Sequence, residues 1–261
     1  MELKIYQIDA FATKAFEGNP AAVCPLDDWL PTETMQAIAM ENNLSETAFF
    51  TKTEDSFEIR WFTPAIEVDL CGHATLASAH VLYQHLNYEG KVIRFHSRSG
   101  VLEVEKANEG YTLDFPADIL NAQPVVSLYE EIIGLRPLEA WRGKDDLMLV
   151  LENKQQVLSL TPDFRKMTQI PTRGVIVTAP GDKTDFISRC FFPNAGIDED
   201  PVTGSAHTTM IPFWSKKLNT SILEARQVSS RGGDLKCQMQ GSRVKITGSC
   251  VTYLKGAIQI G

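Results

Sequence analysis

The chain has 261 residues, which at roughly 150 per domain makes one large or two small domains, long enough to bury a sizeable core without metal or disulfide staples. Its 43% hydrophobic and 22% charged residues are those of an ordinary globular chain and set aside fibrous, disordered and membrane classes. A formal net charge of −8 with no Lys/Arg run disfavours DNA, RNA or anionic lipid as partners. In chain order, the start alternates charged and apolar residues and lacks the basic and then apolar pattern of a leader. A surface helix is expected over 27–40, an apolar strand at 48–50 and a strand at 58–62. Residues 72–86 place Ala74, Ala77, Ser78, Val81, Leu82 and Leu86 at helical spacing with no polar face, which predicts a buried helix. Strands follow at 93–96, 101–106 and 111–115, the last two around an Asn-Glu-Gly turn. Residues 117–125, flanked by Pro116 and containing Pro124, read as a crossover. The longest aliphatic run, 147–151, is far too short to cross a bilayer. A surface helix over 160–168 is expected with Thr161 as cap and Pro162 at its first position. A strand at 186–192, a helix over 204–218 and strands at 235–239 and 243–247 complete the second half. The last strand, 251–260, is expected to return to the first.

The chain reads as written twice. Arg60-Trp-Phe-Thr-Pro-Ala resembles Arg189-Cys-Phe-Phe-Pro-Asn-Ala at an offset of 129 residues, Gly72-His-Ala resembles Gly204-Ser-Ala at 132, and Ser97-Arg-Ser-Gly resembles Ser230-Arg-Gly-Gly at 133. Ordered matches at nearly constant spacing favour duplication. The expected fold is therefore α+β, with two pseudo-symmetric units, each a curled, mainly antiparallel sheet around one central buried helix. Their boundaries are set at residues 1–116 with 251–261, and 117–250.

In each half a proline-containing loop, 63–71 or 193–203, leads to a glycine that opens the buried helix. The first turn of a helix presents unsatisfied N–H groups and a partial positive charge, and glycine lets an anion approach them. If the halves face each other across a cleft, Gly72 and Gly204 converge on one small carboxylate or phosphate; the plainer alternative is that both glycines only cap helices. His73 lies in the first turn, where the positive helix end disfavours imidazolium, and is a candidate proton donor or acceptor. Asp200, at the end of an Asp-Glu-Asp run before the second helix, either caps that helix or meets His73. Glu46 stands between a helix and the apolar strand 48–50, a setting that suits general acid/base work as well as a solvated turn. Neither nucleotide loop nor G-x-S-x-G elbow is present, so no cofactor is expected. No metal site is expected either, because the histidines at 73, 80, 85, 96 and 207 form no H-E-x-x-H; His80 and His207 are assigned to helix surfaces or ends. Arg98 and Arg231 are assigned to bracing loop carbonyls. The five cysteines (24, 71, 190, 237, 250) are odd in number and scattered, which argues against a disulfide framework and favours a reducing cytosol.

Five blocks carry a resemblance over the whole chain: 16–23 (FEGNPAAV), 43–49 (NLSETAF), 62–75 (FTPAIEVDLCGHAT), 198–206 (DEDPVTGSA) and 227–233 (QVSSRGG). In this order they resemble the signature blocks of the PhzF-like phenazine-biosynthesis family, which implies the diaminopimelate-epimerase fold with a site between its two units. The family's namesake isomerises a dihydro-hydroxyanthranilic acid without a cofactor, by a proton shift between ring carbons. By that resemblance Glu46 is the general acid/base, and His73 and Asp200 are the other polar residues around the substrate. The backbone at Gly72 and at Gly204-Ser205 holds the substrate carboxylate, and Asn19 shapes the floor of the site. Related epimerases use two cysteines, one at the start of each helix; Cys71 stands at the first place, and the second half offers Asp-Pro-Val-Thr-Gly without one. The resemblance thus implies a cofactor-independent isomerase of a small carboxylate, as a homodimer. The alternatives are an inactive carboxylate-binding protein and a one-cysteine racemase using Cys71.

Overall fold

Alternating apolar and polar side chains make a strand that is buried on one face, and the opening residues Glu2–Ala10 form β1. The computed structural model describes residues 1–261 and divides into two compact units, Met1–Asp114 with Thr247–Gly261, and Phe115–Ile246. The first contains β1, β2 (Asn19–Leu26), α1 (Thr32–Asn42), β3 (Glu46–Lys52), β4 (Phe57–Phe62), β5 (Glu67–Val68), α2 (Gly72–His85), β6 (Val92–Ser97), β7 (Gly100–Lys106) and β8 (Tyr111–Pro116). The second contains β9 (Asn121–Gln123), α3 (Ser127–Ile133), β10 (Glu139–Arg142), β11 (Asp146–Val150), α4 (Lys154–Leu158), α5 (Phe164–Met167), β12 (Gly174–Pro180), β13 (Phe186–Phe192), β14 (Ile197–Asp200), α6 (His207–Leu218), β15 (Ile222–Gln227), β16 (Gly233–Gln240) and β17 (Arg243–Gly248). The final strand, β18 (Cys250–Gln259), pairs antiparallel with β1 and so belongs to the first unit.

The duplication is written in the strand pairing. In the first unit β18–β1 and β1–β2 are antiparallel, β2–β3 parallel, β3–β4 antiparallel, β4–β6 parallel and β6–β7 antiparallel. In the second, β9–β10 and β10–β11 are antiparallel, β11–β12 parallel, β12–β13 antiparallel, β13–β15 parallel and β15–β16 antiparallel. The two parallel pairs of each unit are bridged by helices, because a parallel pair needs a crossover connection. Helix α2 is buried from Gly72 through Tyr83 and packs on β1, β2, β3, β7 and β18. Its alanines and serine let the curled sheet close around it. Helix α6 packs on β11, β15 and β16. Outer helices cover the other sheet faces: Met35, Ile38 and Ala39 of α1 pack with Ile5, Ala22, Phe49 and Phe62, and Ile132, Val157 and Met167 of α3–α5 pack with Leu149, Val177 and Phe191. No helix is long and apolar enough to cross a membrane.

Several boundaries differ from expectation. The first surface helix runs over Thr32–Asn42, not 27–40, because Pro31 lacks an N–H and stands as its cap, its carbonyl accepting from Thr34 and Met35. The helix expected over 160–168 is the four-residue α5, capped by Asp163, whose carboxylate accepts the Lys166 N–H at 2.9 Å; Thr161 and Pro162 lie ahead of it. The crossover contains a strand, β9. The second buried helix begins at His207, not Gly204.

Candidate functional site

Three local features assemble one group of side chains in the first unit. The β1–β2 connection passes through left-handed residues, Phe11, Phe16 and Gly18. A Cβ on Gly18 would lie 2.1 Å from the Ala10 carbonyl oxygen, so a glycine is needed to deliver Asn19 to the start of β2. Helix α1 stops at Asn43 in the left-handed conformation, and the chain turns into β3 with Glu46 as its first residue. Because β2 and β3 are parallel with Ala21 beside Glu46, Asn19 and Glu46 occupy the same end of neighbouring strands. The third feature is the entry to α2. Cys71 is extended, Gly72 starts the helix, and the N–H and hydroxyl of Thr75 both donate to the Cys71 carbonyl.

His73 is the hub. Its Nε2 lies 3.1 Å from Glu46 Oε2, and its Nδ1 lies 3.3 Å from Asn19 Nδ2 and 3.5 Å from Cys71 Sγ. The side chains of His73 and Glu46 are 6% and 13% exposed, and neither Nε2 nor Oε2 has a further hydrogen-bond partner. Burial opposes the imidazolium, but the charges of Cys71 and Glu46 and hydrogen bonds to both outweigh it, so His73 stands well above its ordinary pKa. The expected bias of the helix end against imidazolium is thereby outweighed, since the charges of Cys71 and of Glu46, whose carboxylate is 3.1 Å away, act more strongly than a helix-terminal partial charge. Burial first, and then the Glu46 charge, push the Cys71 thiol up against the pull of His73 and the Ala74 amide.

The second unit places Asp200, Gly204 and Ser205 in a different chemical setting. Asp200 ends β14, and its carboxylate accepts from the Thr203 hydroxyl. Gln227 clamps the loop: its Oε1 accepts the Thr203 N–H at 2.8 Å and its Nε2 donates to the Asp200 carbonyl at 2.7 Å. Gly204 does not open α6. The N–H groups of His207, Thr208 and Thr209 donate to the carbonyls of Gly204, Ser205 and Ala206, a tighter three-residue winding ahead of the helix. Sequence reasoning missed Gln227 as a clamp; the available signal was an amide on an inward position at the end of the alternating strand β15.

The loops before both helices are braced alike. Arg60 grips Glu67 through two hydrogen bonds of 2.7 and 2.8 Å, and Arg189 grips Glu199 through two of the same lengths. Arg98, expected on carbonyls, instead pairs with the carboxylates of Glu67 and Asp69. His80 and His207, expected at helix surfaces or ends, are both buried, although His207 does start its helix. His80 meets the hydroxyls of Tyr111 and Thr252 at 3.1 and 2.9 Å, and His207 Nδ1 meets the Thr203 carbonyl at 2.8 Å. Burial lowers both to about 4, with His85 adding to the shift at His80.

Residues 8–256 match the family model described as phenazine biosynthesis-like protein. An uncharacterized isomerase of Pseudomonas aeruginosa is 47% identical over 260 residues, covering 100% of both chains. A crystal structure of a PhzF-family phenazine biosynthesis protein from Enterococcus faecalis matches with a TM-score of 0.97 at 48% identity, also over 100% of both chains. A hydroxyproline epimerase from Agrobacterium vitis shares the fold alone, with a TM-score of 0.64 at 11% identity over 98% of this chain and 92% of that one. The chain has the diaminopimelate-epimerase-like fold and belongs to the phenazine biosynthesis-like (PhzC-PhzF) family.

Proposed function

We propose that this protein is a cofactor-independent isomerase that moves a proton within a small carboxylate substrate, with Glu46 as general acid/base. One observation carries the reading: Glu46 Oε2 lies 3.1 Å from His73 Nε2, both nearly buried, beside the N-terminus of α2. The Glu46 carboxylate takes a proton from a carbon α or vinylogous to the acidifying group and becomes a carboxylic acid. It then returns that proton to another carbon, so nothing is gained or lost overall. His73 places a cation beside the charge that develops on the substrate. The N–H groups of Gly72 and His73, at the α2 entrance ahead of the Thr75 N–H that closes the first turn onto the Cys71 carbonyl, suit the substrate carboxylate. Asn19 holds the far side of the imidazole. The same proposal gives Gly204 and Ser205 to substrate binding and Asp200 a polar role at the substrate. The relatives named isomerase support the reaction class.

The test is a set of cyclic and acyclic carboxylates incubated with the protein in heavy water and scored for deuterium uptake and product. Exchange that vanishes in Glu46→Gln while ligand binding persists is the expected result. Undiminished exchange in that variant removes Glu46 from the mechanism, and binding without exchange in the unaltered protein identifies a carboxylate binder. A one-cysteine racemase is disfavoured, since the loop before the second helix offers no cysteine as a second base and burial raises the Cys71 thiol, which leaves little thiolate.

A further inference from the structure

The two units differ in how far the central helix fills the sheet around it. By their pairing, β18 and β1 of the first unit correspond to β9 and β10 of the second. Helix α2 packs on β1 and β18, whereas α6 packs chiefly on β11, β15 and β16. Beside β10 and the residue ahead of β9 there is a pocket of about 490 Å³ with Leu120, Trp141, Pro212 and Phe213 in its walls. That volume lies within the range of small-ligand sites.

The walls are apolar and already in place. Ala140 of β10 is buried in the core beneath the outer helices, so Glu139 and Trp141 on either side of it face the other way. The Trp141 and Phe213 rings meet edge to face, with centroids 5.7 Å apart at 61°. Trp141 Nε1 donates to Glu139 Oε2 at 3.0 Å, which satisfies the polar atom of the indole and leaves its faces apolar. Pro212 has no N–H and frees the Thr208 carbonyl four residues earlier. That carbonyl accepts the Asp118 N–H at 3.1 Å, and the Asp118 carboxylate accepts the Thr209 hydroxyl at 3.0 Å. Both bonds pin the segment that carries Leu120 to α6. The charge is one-sided: Lys217 Nζ lies 2.7 Å from Glu139 Oε1 and neutralises it, which leaves the exposed Lys216 ammonium as the cation without a carboxylate partner.

We propose that this pocket of the second unit binds an aromatic monoanion, a flat ring that carries one acidic group. The ring lies against Trp141, Phe213 and Pro212, and the acidic group meets Lys216. The site shares no residue with the Glu46–His73 group and does not rest on the isomerase reading.

Naphthoate is the probe, and the readout is the acetylation rate of Lys216 in the full chain, followed by peptide mass spectrometry. Naphthoate is expected to slow acetylation of Lys216 saturably and to leave the well exposed Lys14 unaffected. The uncharged naphthylmethanol is expected to need at least about threefold more for the same protection. In Leu120→Trp, which fills the pocket from a half-buried position, the dependence on naphthoate is lost. Lys216 acetylation that ignores naphthoate, or protection that persists in Leu120→Trp, overturns the site. Equal protection by the alcohol, a comparison that needs no variant, overturns the choice of an anion. Naphthoate held at the Glu46–His73 group leaves Lys216 unprotected, and deuterium exchange tests the isomerase reading separately, so the two failures are distinguishable.

Discussion

The same turn of the fold is built twice, and the two versions differ in chemistry while sharing their brace. Before α2, Arg60 holds Glu67 and the loop ends on Cys71, Gly72 and His73; before α6, Arg189 holds Glu199 and the loop ends on Thr203, Gly204 and Ser205. Where the first unit places a thiol and an imidazole, the second places two hydroxyls. Where Glu46 faces the first entrance from β3, the Gln227 amide clamps the second from β15. Duplication preserved what holds the loop and released what the loop presents. The first unit carries titratable groups in near-burial, and the second carries a hydrogen-bonded frame around Asp200.

The largest expected break in that comparison is Glu46→Gln. Removal of a general acid/base costs about 10²–10⁴ in rate, read as deuterium exchange into a carboxylate substrate, with the melting temperature little changed. Next come the two braces. Arg189 also donates to the carbonyls of Val157 and Leu160, and its loss strands the half-buried Glu199. Arg189→Met should therefore destabilise by about 3–5 kcal/mol in urea unfolding. Arg60→Met should cost less, about 1–2 kcal/mol, because Arg98 still pairs with Glu67.

One buried histidine in each unit sharpens the comparison through pH. The unfolded chain binds a proton at these rings below about 6.5, while the folded chain holds His80 and His207 neutral down to about 4. Their contribution is complete above 6.5 and is lost as pH falls through that window, on the order of 3 kcal/mol for each ring. Urea midpoints from pH 7 to pH 4 check it; the decline should flatten in His80→Gln, and a pH-independent midpoint contradicts it. An effect as small as that of Arg60→Met is expected at Thr203→Val, which removes the hydroxyl from Asp200 and Gln227 at a cost of about 1–2 kcal/mol. This is measured as the shift in urea midpoint at pH 7.

Much of this was legible in the linear chain. The small and apolar side chains from Ala74 to Ala79 identified a helix that can be buried on all sides, and the spaced Arg60 and Arg189 blocks identified the repeat before any pairing was known. Helix starts were misplaced where prolines and short polar residues compete as caps: Asp163 rather than Thr161 receives the N–H, and the tight turn at Gly204 delays α6 by three residues. These choices differ by about a kilocalorie per mole, and packing settles them.

The sequence by itself determined the α+β class, the doubled plan, and the acid, imidazole and thiol available for chemistry, because periodicity and residue type are local properties of a chain. Only the tertiary structure decided that Glu46 meets His73 on one side of the ring while Asn19 and Cys71 meet it on the other. It also turned His73 toward the charged form and kept His80 and His207 neutral. Those outcomes depend on distances between residues tens of positions apart and on the exclusion of water around them, and neither exists until the sheet has closed around its helix.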